Sequence, residues 1–293
     1  MSNKRLFFFG MGYVARHLVA SLEGDWSFVA SYRGKSPSDT LSALKQQLGD
    51  RLTLVRFEDD TLEKEGQLAL SECDHVLSSI PPDEKGCPVA RGLRQLGIPY
   101  RFKWVGYLSA TSVYGDAGGQ WVDERHGAKP TTRRGKNRHM AEEQWLSLYR
   151  SQGWPVAVFR LSGIYGPNRN MLERIKGGAG QAVMKAGHVM CRIHVADIVE
   201  TLKASMARPM GGEVYNVSDD LPAPSSDVMF FAADLLGVPK PETVPFDQAT
   251  LTPMAQSFYK ENRRVSNEKI RQQLGVTLQY PDYKAGLTAL HKE

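Results

Sequence analysis

The chain has 293 residues, of which 41% are hydrophobic and 24% charged, and its formal net charge is +5. These figures exclude a disordered or fibrous chain and leave room for one large α/β domain or for a domain with a smaller second lobe. Cys73, Cys87 and Cys191 are odd in number and widely spaced, which excludes a disulfide framework or a zinc site of recognised spacing, and no metal is expected.

At the N-terminus Lys4 and Arg5 precede an apolar run, but Leu6 to Phe9 is too short for a signal peptide and meets Gly10-Met11-Gly12 at once. No stretch approaches the length of a membrane span. A cytoplasmic protein with no membrane partner is expected.

In chain order, short apolar runs predict strands near Leu6-Phe9, Phe28-Ser31, Leu52-Arg56, His75-Ser78, Trp104-Ser109 and Val156-Leu161. Each is apolar enough to be covered on both faces, as strands of a parallel sheet are. Between the first two, Val14, Leu18 and Leu22 recur every four residues, predicting a helix that Gly24 stops. Further helices are predicted over Met140-Tyr149 and Val195-Ala207. This βαβ alternation predicts an α/β fold with a doubly wound parallel sheet. After about residue 165, glycines and prolines divide the chain into shorter elements. The expected organisation is a dinucleotide-binding domain over 1–165 and, over 166–293, a smaller α/β substrate lobe with some segments returning to the first domain.

The most informative motif is Phe7-Phe8-Phe9-Gly10-Met11-Gly12-Tyr13-Val14-Ala15, a strand running through glycines into a helix, which fits Gly-x-Gly-x-x-Ala. One glycine permits the tight turn and the next lets backbone approach a pyrophosphate. The small Ala15 allows helix and sheet to pack closely, with the phosphate at the helix N-terminus. Gly10, Met11, Gly12, Tyr13, Val14 and Ala15 are therefore cofactor-binding candidates on a Rossmann-type sheet. About 20 positions further on, an acidic residue would hold the ribose 2′-hydroxyl of NAD. The sequence there reads Ser31-Tyr32-Arg33. Arg33 can instead meet the 2′-phosphate of NADP and stack on adenine, with Tyr32 beside it, so NADP is favoured. NAD would be accepted if Arg33 and Lys35 are solvated and the ribose is held by Ser31 or backbone.

Four segments resemble the extended short-chain dehydrogenase/reductase superfamily, which includes NAD-dependent sugar epimerases and dehydratases. They are the glycine loop, Leu108-Ser109-Ala110-Thr111-Ser112-Val113-Tyr114-Gly115, Arg160-Leu161-Ser162-Gly163-Ile164-Tyr165-Gly166-Pro167 and Arg192-Ile193-His194-Val195-Ala196-Asp197. The resemblance implies that Asp59 approaches the adenine and that Ser78, Ser79, Ile80, Pro81 and Ser109 border the cofactor. It also implies an oxidoreductase or epimerase acting on a small polar substrate.

Members with redox activity use a Tyr-x-x-x-Lys helix for proton exchange. Here the aligned positions are Arg134 and Arg138, and a guanidinium offers donors only, so neither serves as a general base. The literal Tyr280-to-Lys284 match contains Pro281 and is read as coincidence. The position usually held by a catalytic Ser or Thr is Ala110, flanked by Ser109 and Thr111. Ser112 stands where some dehydratases have Glu. Thr111, Ser112, Tyr114, Arg134 and Arg138 are the catalytic candidates, although Tyr114 and His194 occupy motif positions that more often support packing. The pattern is most similar to atypical bacterial epimerase/dehydratase-like proteins that lack the Tyr-x-x-x-Lys motif, and it shares their closing Arg263-Arg264-Val265-Ser266-Asn267.

Arg125 to His139 holds six Lys or Arg and two His in fifteen residues. Read chemically, this is an anion site for a phosphate, carboxylate or sugar nucleotide, or else a solvated helix face. No aromatic interleaving accompanies the charges, so nucleic acid is not an expected partner. A non-catalytic NADP-binding sensor is the alternative function. Trp145 and Leu148 could pack on the sheet or on a second copy, leaving monomer and homodimer both open.

Overall fold

The structure is a computed structural model that describes residues 4–97, 101–178 and 180–292. Its strands are β1 (Lys4–Phe9), β2 (Trp26–Tyr32), β3 (Leu52–Glu58), β4 (Thr61–Leu62), β5 (His75–Ser78), β6 (Trp104–Ala110), β7 (Trp121–Val122), β8 (Val156–Leu161), β9 (Gly163–Tyr165), β10 (Gln181–Met184), β11 (Arg192–His194), β12 (Glu213–Val217), β13 (Glu242–Pro245) and β14 (Arg264–Val265). The helices are α1 (Tyr13–Ser21), α2 (Asp39–Leu48), α3 (Lys64–Ser71), α4 (Pro88–Leu96), α5 (Arg133–Gln152), α6 (Met171–Lys176), α7 (Val195–Ala207), α8 (Ser225–Leu236), α9 (Pro253–Tyr259), α10 (Glu268–Leu274) and α11 (Tyr283–Lys292).

Eight strands form one sheet in the order β12-β8-β6-β5-β1-β2-β3-β4. β1 pairs in parallel with β2 and β5, β2 with β3, and β5 with β6, while the short β4 turns back antiparallel to β3. Chain order runs outward from β1 to β3 on one side, then restarts at β5 on the other. The switch point therefore lies between β1 and β5, where open α/β sheets bind ligands. This is the Rossmann-type doubly wound sheet expected from the alternating apolar runs.

Two compact units result. The first comprises Met1–Ser109, Asn137–Phe159 and Leu202–Val214; the second comprises Ala110–Lys136, Arg160–Thr201 and Tyr215–Glu293. In the first unit Leu6, Phe7, Phe8 and Phe9 of β1 are fully buried, as a central strand covered by helices on both faces requires. α1 lays Val14, Ala15, Leu18 and Val19 against the sheet and ends at Ser21, three residues before Gly24. In α5, Trp145 stacks on Tyr107 with ring centroids 5.8 Å apart, its indole N–H meets Cys87 Sγ at 3.3 Å, and Leu148 is buried. Both residues thus belong to the core of their own chain.

The second unit has its own core, in which Tyr165, Leu172, Val228, Ala232, Tyr283 and Leu287 are buried together. β9 and β11 pair in parallel there, as do β10 and β13. His194 and Asp197 are part of this framework. The His194 ring packs against Tyr165 and Tyr280, and its Nδ1 accepts from the Ala196 N–H at 3.2 Å. The Asp197 carboxylate accepts the N–H groups of Gln279 and Tyr280 at 2.6 and 3.1 Å, pinning the segment that leads into α11. Tyr280 precedes that helix, so Tyr280 and Lys284 do not form a helical pair.

Candidate dinucleotide site and the catalytic positions

β1 delivers the chain into the glycine loop. Gly10 has φ +88°, and a Cβ there would lie 3.0 Å from Ser79 Oγ and 3.1 Å from Ile80 Cγ1, so both its conformation and its surroundings demand glycine. Its N–H donates to Ser31 Oγ at 3.2 Å. Ser79 closes the other side, with its N–H on Phe9 O at 2.9 Å and its hydroxyl on Gly10 O at 2.8 Å. The loop is thereby tied to the ends of both β2 and β5.

Gly12 is different. It caps α1 with φ −78°, and the nearest atom to a Cβ would be Ser79 Oγ at 3.9 Å. Neither backbone conformation nor packing within the protein calls for glycine, whereas a pyrophosphate laid on the α1 N-terminus would occupy the space a side chain would fill. The first turn of α1 contains no acidic residue that would repel an anion. Ala15 is fully buried under the loop, as close helix-sheet packing requires. The residues present fit a dinucleotide.

Beyond the loop lies a cleft of about 200 Å³ lined by Met11, Arg16, Ser31, Tyr32, Arg33, Ser38, Thr40 and Leu41. The expected Arg33 and Tyr32 are in it, at the carboxyl end of β2. Arg16 was not singled out from the sequence, because a basic residue on an amphipathic helix reads as ordinary surface. The approach of α1 to the start of α2 places it beside Arg33 in the same cleft. Ser31 is buried and already accepts the Gly10 N–H.

The other cofactor candidates separate in kind. Asp59 is exposed in the turn after β3, and Ile80 and Pro81 follow Ser79 along the loop after β5. Ser78 is fully buried. Ser109 is buried at the end of β6, and its hydroxyl donates to the buried Glu142 carboxylate of α5 at 2.5 Å. Glu142 was missed from sequence because its partner lies 33 positions away.

Arg138 is committed within the first unit. Its Nη1 donates to Tyr107 OH at 3.0 Å and Leu108 O at 2.9 Å, and the guanidinium lies over the Tyr107 ring. Burial pushes the Tyr107 hydroxyl well above its ordinary pKa. Arg138 therefore ties α5 to β6.

In the second unit, β6 gives way to a 3-10 turn over Thr111–Tyr114, so strand alternation stops at Ala110. Tyr114 is buried, its hydroxyl donates to Asn216 Oδ1 at 2.8 Å, and the Arg160 guanidinium sits 4.7 Å from its ring centre. Burial pushes its pKa up to about 12 against the opposing pull of Arg160. A hydroxyl so placed supports packing. Thr111 is buried and Ser112 half-buried, and neither side chain forms a hydrogen bond among the described residues. Arg134 is exposed, 5.8 Å from the Phe258 ring centre. Helix α5 begins at Arg133, earlier than expected, and carries no acidic residue in its first turn. Arg133, Arg134 and Lys136 thus add positive charge at the helix end whose dipole is already positive.

Among the described residues no cluster of His, Cys, Asp or Glu could hold a metal ion, and no helix is long and apolar enough to cross a membrane.

A sheet wound this way, with a glycine loop at its switch point, defines a Rossmann-type α/β protein. No protein-family model matches the chain. A functionally unknown conserved protein from Silicibacter pomeroyi DSS is 41% identical, with a TM-score of 0.84 over 99% of this chain and 98% of that one. The chain belongs to the family of that conserved protein. Protein YeeZ of Escherichia coli (strain K12) is 27% identical over 95% of this chain and 97% of its own length. The fold is also that of DesIV, a dTDP-glucose 4,6-dehydratase from Streptomyces venezuelae solved with NAD and TYD bound, at 16% identity and a TM-score of 0.79 over 98% and 96% of the two chains.

Proposed function

We propose that this protein binds NADP in its first unit and acts as an oxidoreductase or epimerase on a small polar, anionic substrate. The observation that carries the cofactor reading is the pair Arg16 and Arg33 lining one cleft beside a glycine loop with no carboxylate among its lining residues. Two guanidiniums suit a phosphate dianion and have no acceptor to offer a ribose hydroxyl. Gly10, Gly12 and the α1 N-terminus would hold the pyrophosphate. When bound, the dinucleotide supplies hydride transfer.

The basic start of α5 supports an anionic substrate, such as a phosphate, carboxylate or sugar nucleotide. With Tyr114 and Ser109 already bonded within the protein, Thr111 and Ser112 retain hydroxyls able to position a proton or a water. Binding is tested by calorimetric titration with NADPH and NADH. Turnover is tested by NADPH oxidation across a panel of keto-sugars and aldehydes, with Arg134→Ala expected to raise KM for anionic members.

The commitment of Arg138 to Tyr107 and Leu108 favours a second reading, a cofactor-binding sensor without turnover. Tight NADPH binding with neither cofactor oxidation nor an epimerised product anywhere in the panel would favour it over the first.

A further inference from the structure

Asp59 and Asp60 are consecutive non-glycine residues in the left-handed region, at φ 49° and 60°. They form the two-residue turn between β3 and β4, where Glu58 pairs with Thr61. Positive φ at both central positions is the type I′ pattern of two-residue hairpins, in which glycine takes the second position most readily. Aspartate at the second position costs backbone energy, so its side chain has to offset that cost.

The Asp60 carboxylate grips Arg91 of α4 with two parallel bonds, Nε to Oδ2 at 2.6 Å and Nη2 to Oδ1 at 2.8 Å. The remaining edge of the same guanidinium holds Asp83, with Nη1 to Oδ1 at 2.9 Å and Nη2 to Oδ2 at 2.7 Å. A forked cation shared by two carboxylates in bidentate geometry fixes direction as well as distance. The next residue, Gly92, leaves no room for a Cβ because the Asp60 carbonyl oxygen occupies that space. α4 is thus pressed directly onto the turn.

The two loops joined in this way both lie at the carboxyl edge of the sheet. One presents the exposed Asp59, whose carboxylate accepts no hydrogen bond among the described residues. The other is the loop after β5, whose Ser79 and Ile80 pack on Gly10. Asp83 is itself fixed in that loop by reciprocal backbone bonds with Gly86 and by the Lys85 N–H on its carboxylate. A continuous tie therefore runs from Gly10 through Ser79 and Asp83 to Arg91, Asp60 and Asp59.

We infer that Arg91 is a positioning residue for the adenosine half of the dinucleotide site, holding the strained Asp59-Asp60 turn and the loop after β5 at a fixed separation. This rests on the dinucleotide reading above. While the fork is closed the turn keeps its left-handed shape, which fixes where the exposed Asp59 stands at the carboxyl edge of the sheet.

The test separates positioning from stability. Wild type, Arg91→Gln and Asp60→Gly are titrated with adenosine 2′,5′-bisphosphate and with reduced nicotinamide mononucleotide, and their Tm values are compared. Asp60→Gly relieves the left-handed strain while removing the fork, so its Tm should hold or rise. Both variants should bind the bisphosphate about tenfold more weakly, the change that corresponds to the net contribution of about one hydrogen bond. Their affinity for the nicotinamide fragment should be unchanged. Equal bisphosphate affinity in wild type and both variants would overturn the positioning role and leave the dinucleotide site standing, as would affinity that merely tracks Tm. Absence of bisphosphate binding to wild type would overturn the NADP reading and this inference with it.

Discussion

Replacing Arg16 and Arg33 by Ser, singly and together, tests the cofactor preference at its physical cause. A hydrogen bond to a charged group contributes about 1.5–3 kcal/mol. Both side chains are exposed at the rim of the cleft, where solvent screening favours the lower figure. About 1.5 kcal/mol corresponds to roughly a tenfold rise in the Kd for NADPH per arginine. The two guanidiniums would share one phosphate, so their effects should not be independent, and the double variant should fall short of about a hundredfold. NADH has no 2′-phosphate and its Kd should move by less than about twofold. Calorimetric titration of each variant with both cofactors, repeated at two salt concentrations, gives the ratio directly. Because exposed charges are screened, the wild-type preference for NADPH should also shrink at high salt. Equal weakening of NADH and NADPH would refute the reasoning, since it would place the arginines on a part shared by both molecules.

Gly10→Ala forces a side chain into φ +88° and against Ser79 and Ile80. It should lower stability by about 1–2 kcal/mol and abolish dinucleotide binding, as read by thermal melting and titration. Asp219 is almost fully buried. Burial, opposed by Arg192, raises its pKa from 3.8 to about 8. Between those values the unfolded chain releases a proton that the folded protein keeps, so this group lowers stability as pH rises through the window. Asp219→Asn should flatten the fall in Tm between pH 4 and about 8 and raise Tm at the upper end; unchanged pH dependence would refute the assignment. Tyr114→Phe strands the Asn216 amide oxygen and should cost about 1–3 kcal/mol of stability. It should leave the pH profile of any turnover unmoved, and a shifted profile would return Tyr114 to the list of acids.

The sequence alone determined the features that local rules govern. Strand β1, the Gly10-Met11-Gly12 turn and α1 are legible because apolar continuity, positive-φ glycines and a four-residue apolar spacing each act over only a few residues. Arg33 in place of an acid was equally legible, since its distance from the glycines follows from one βαβ unit. The same holds for Arg134 and Arg138 as guanidiniums unable to act as bases. What only the tertiary structure decided is where each polar side chain spends its hydrogen bonds. Ser109 turns to Glu142, Tyr114 to Asn216, and Arg138 to Tyr107 and Leu108. Arg16 becomes a candidate ligand only because two helices converge on the end of β2, and Arg91 a clamp only because two loops meet it. Such partners lie tens of positions apart, and a short polar or charged side chain carries no sequence period that reports its distant acceptor. The sheet brings them together, and burial then makes each bond costly to leave unmade.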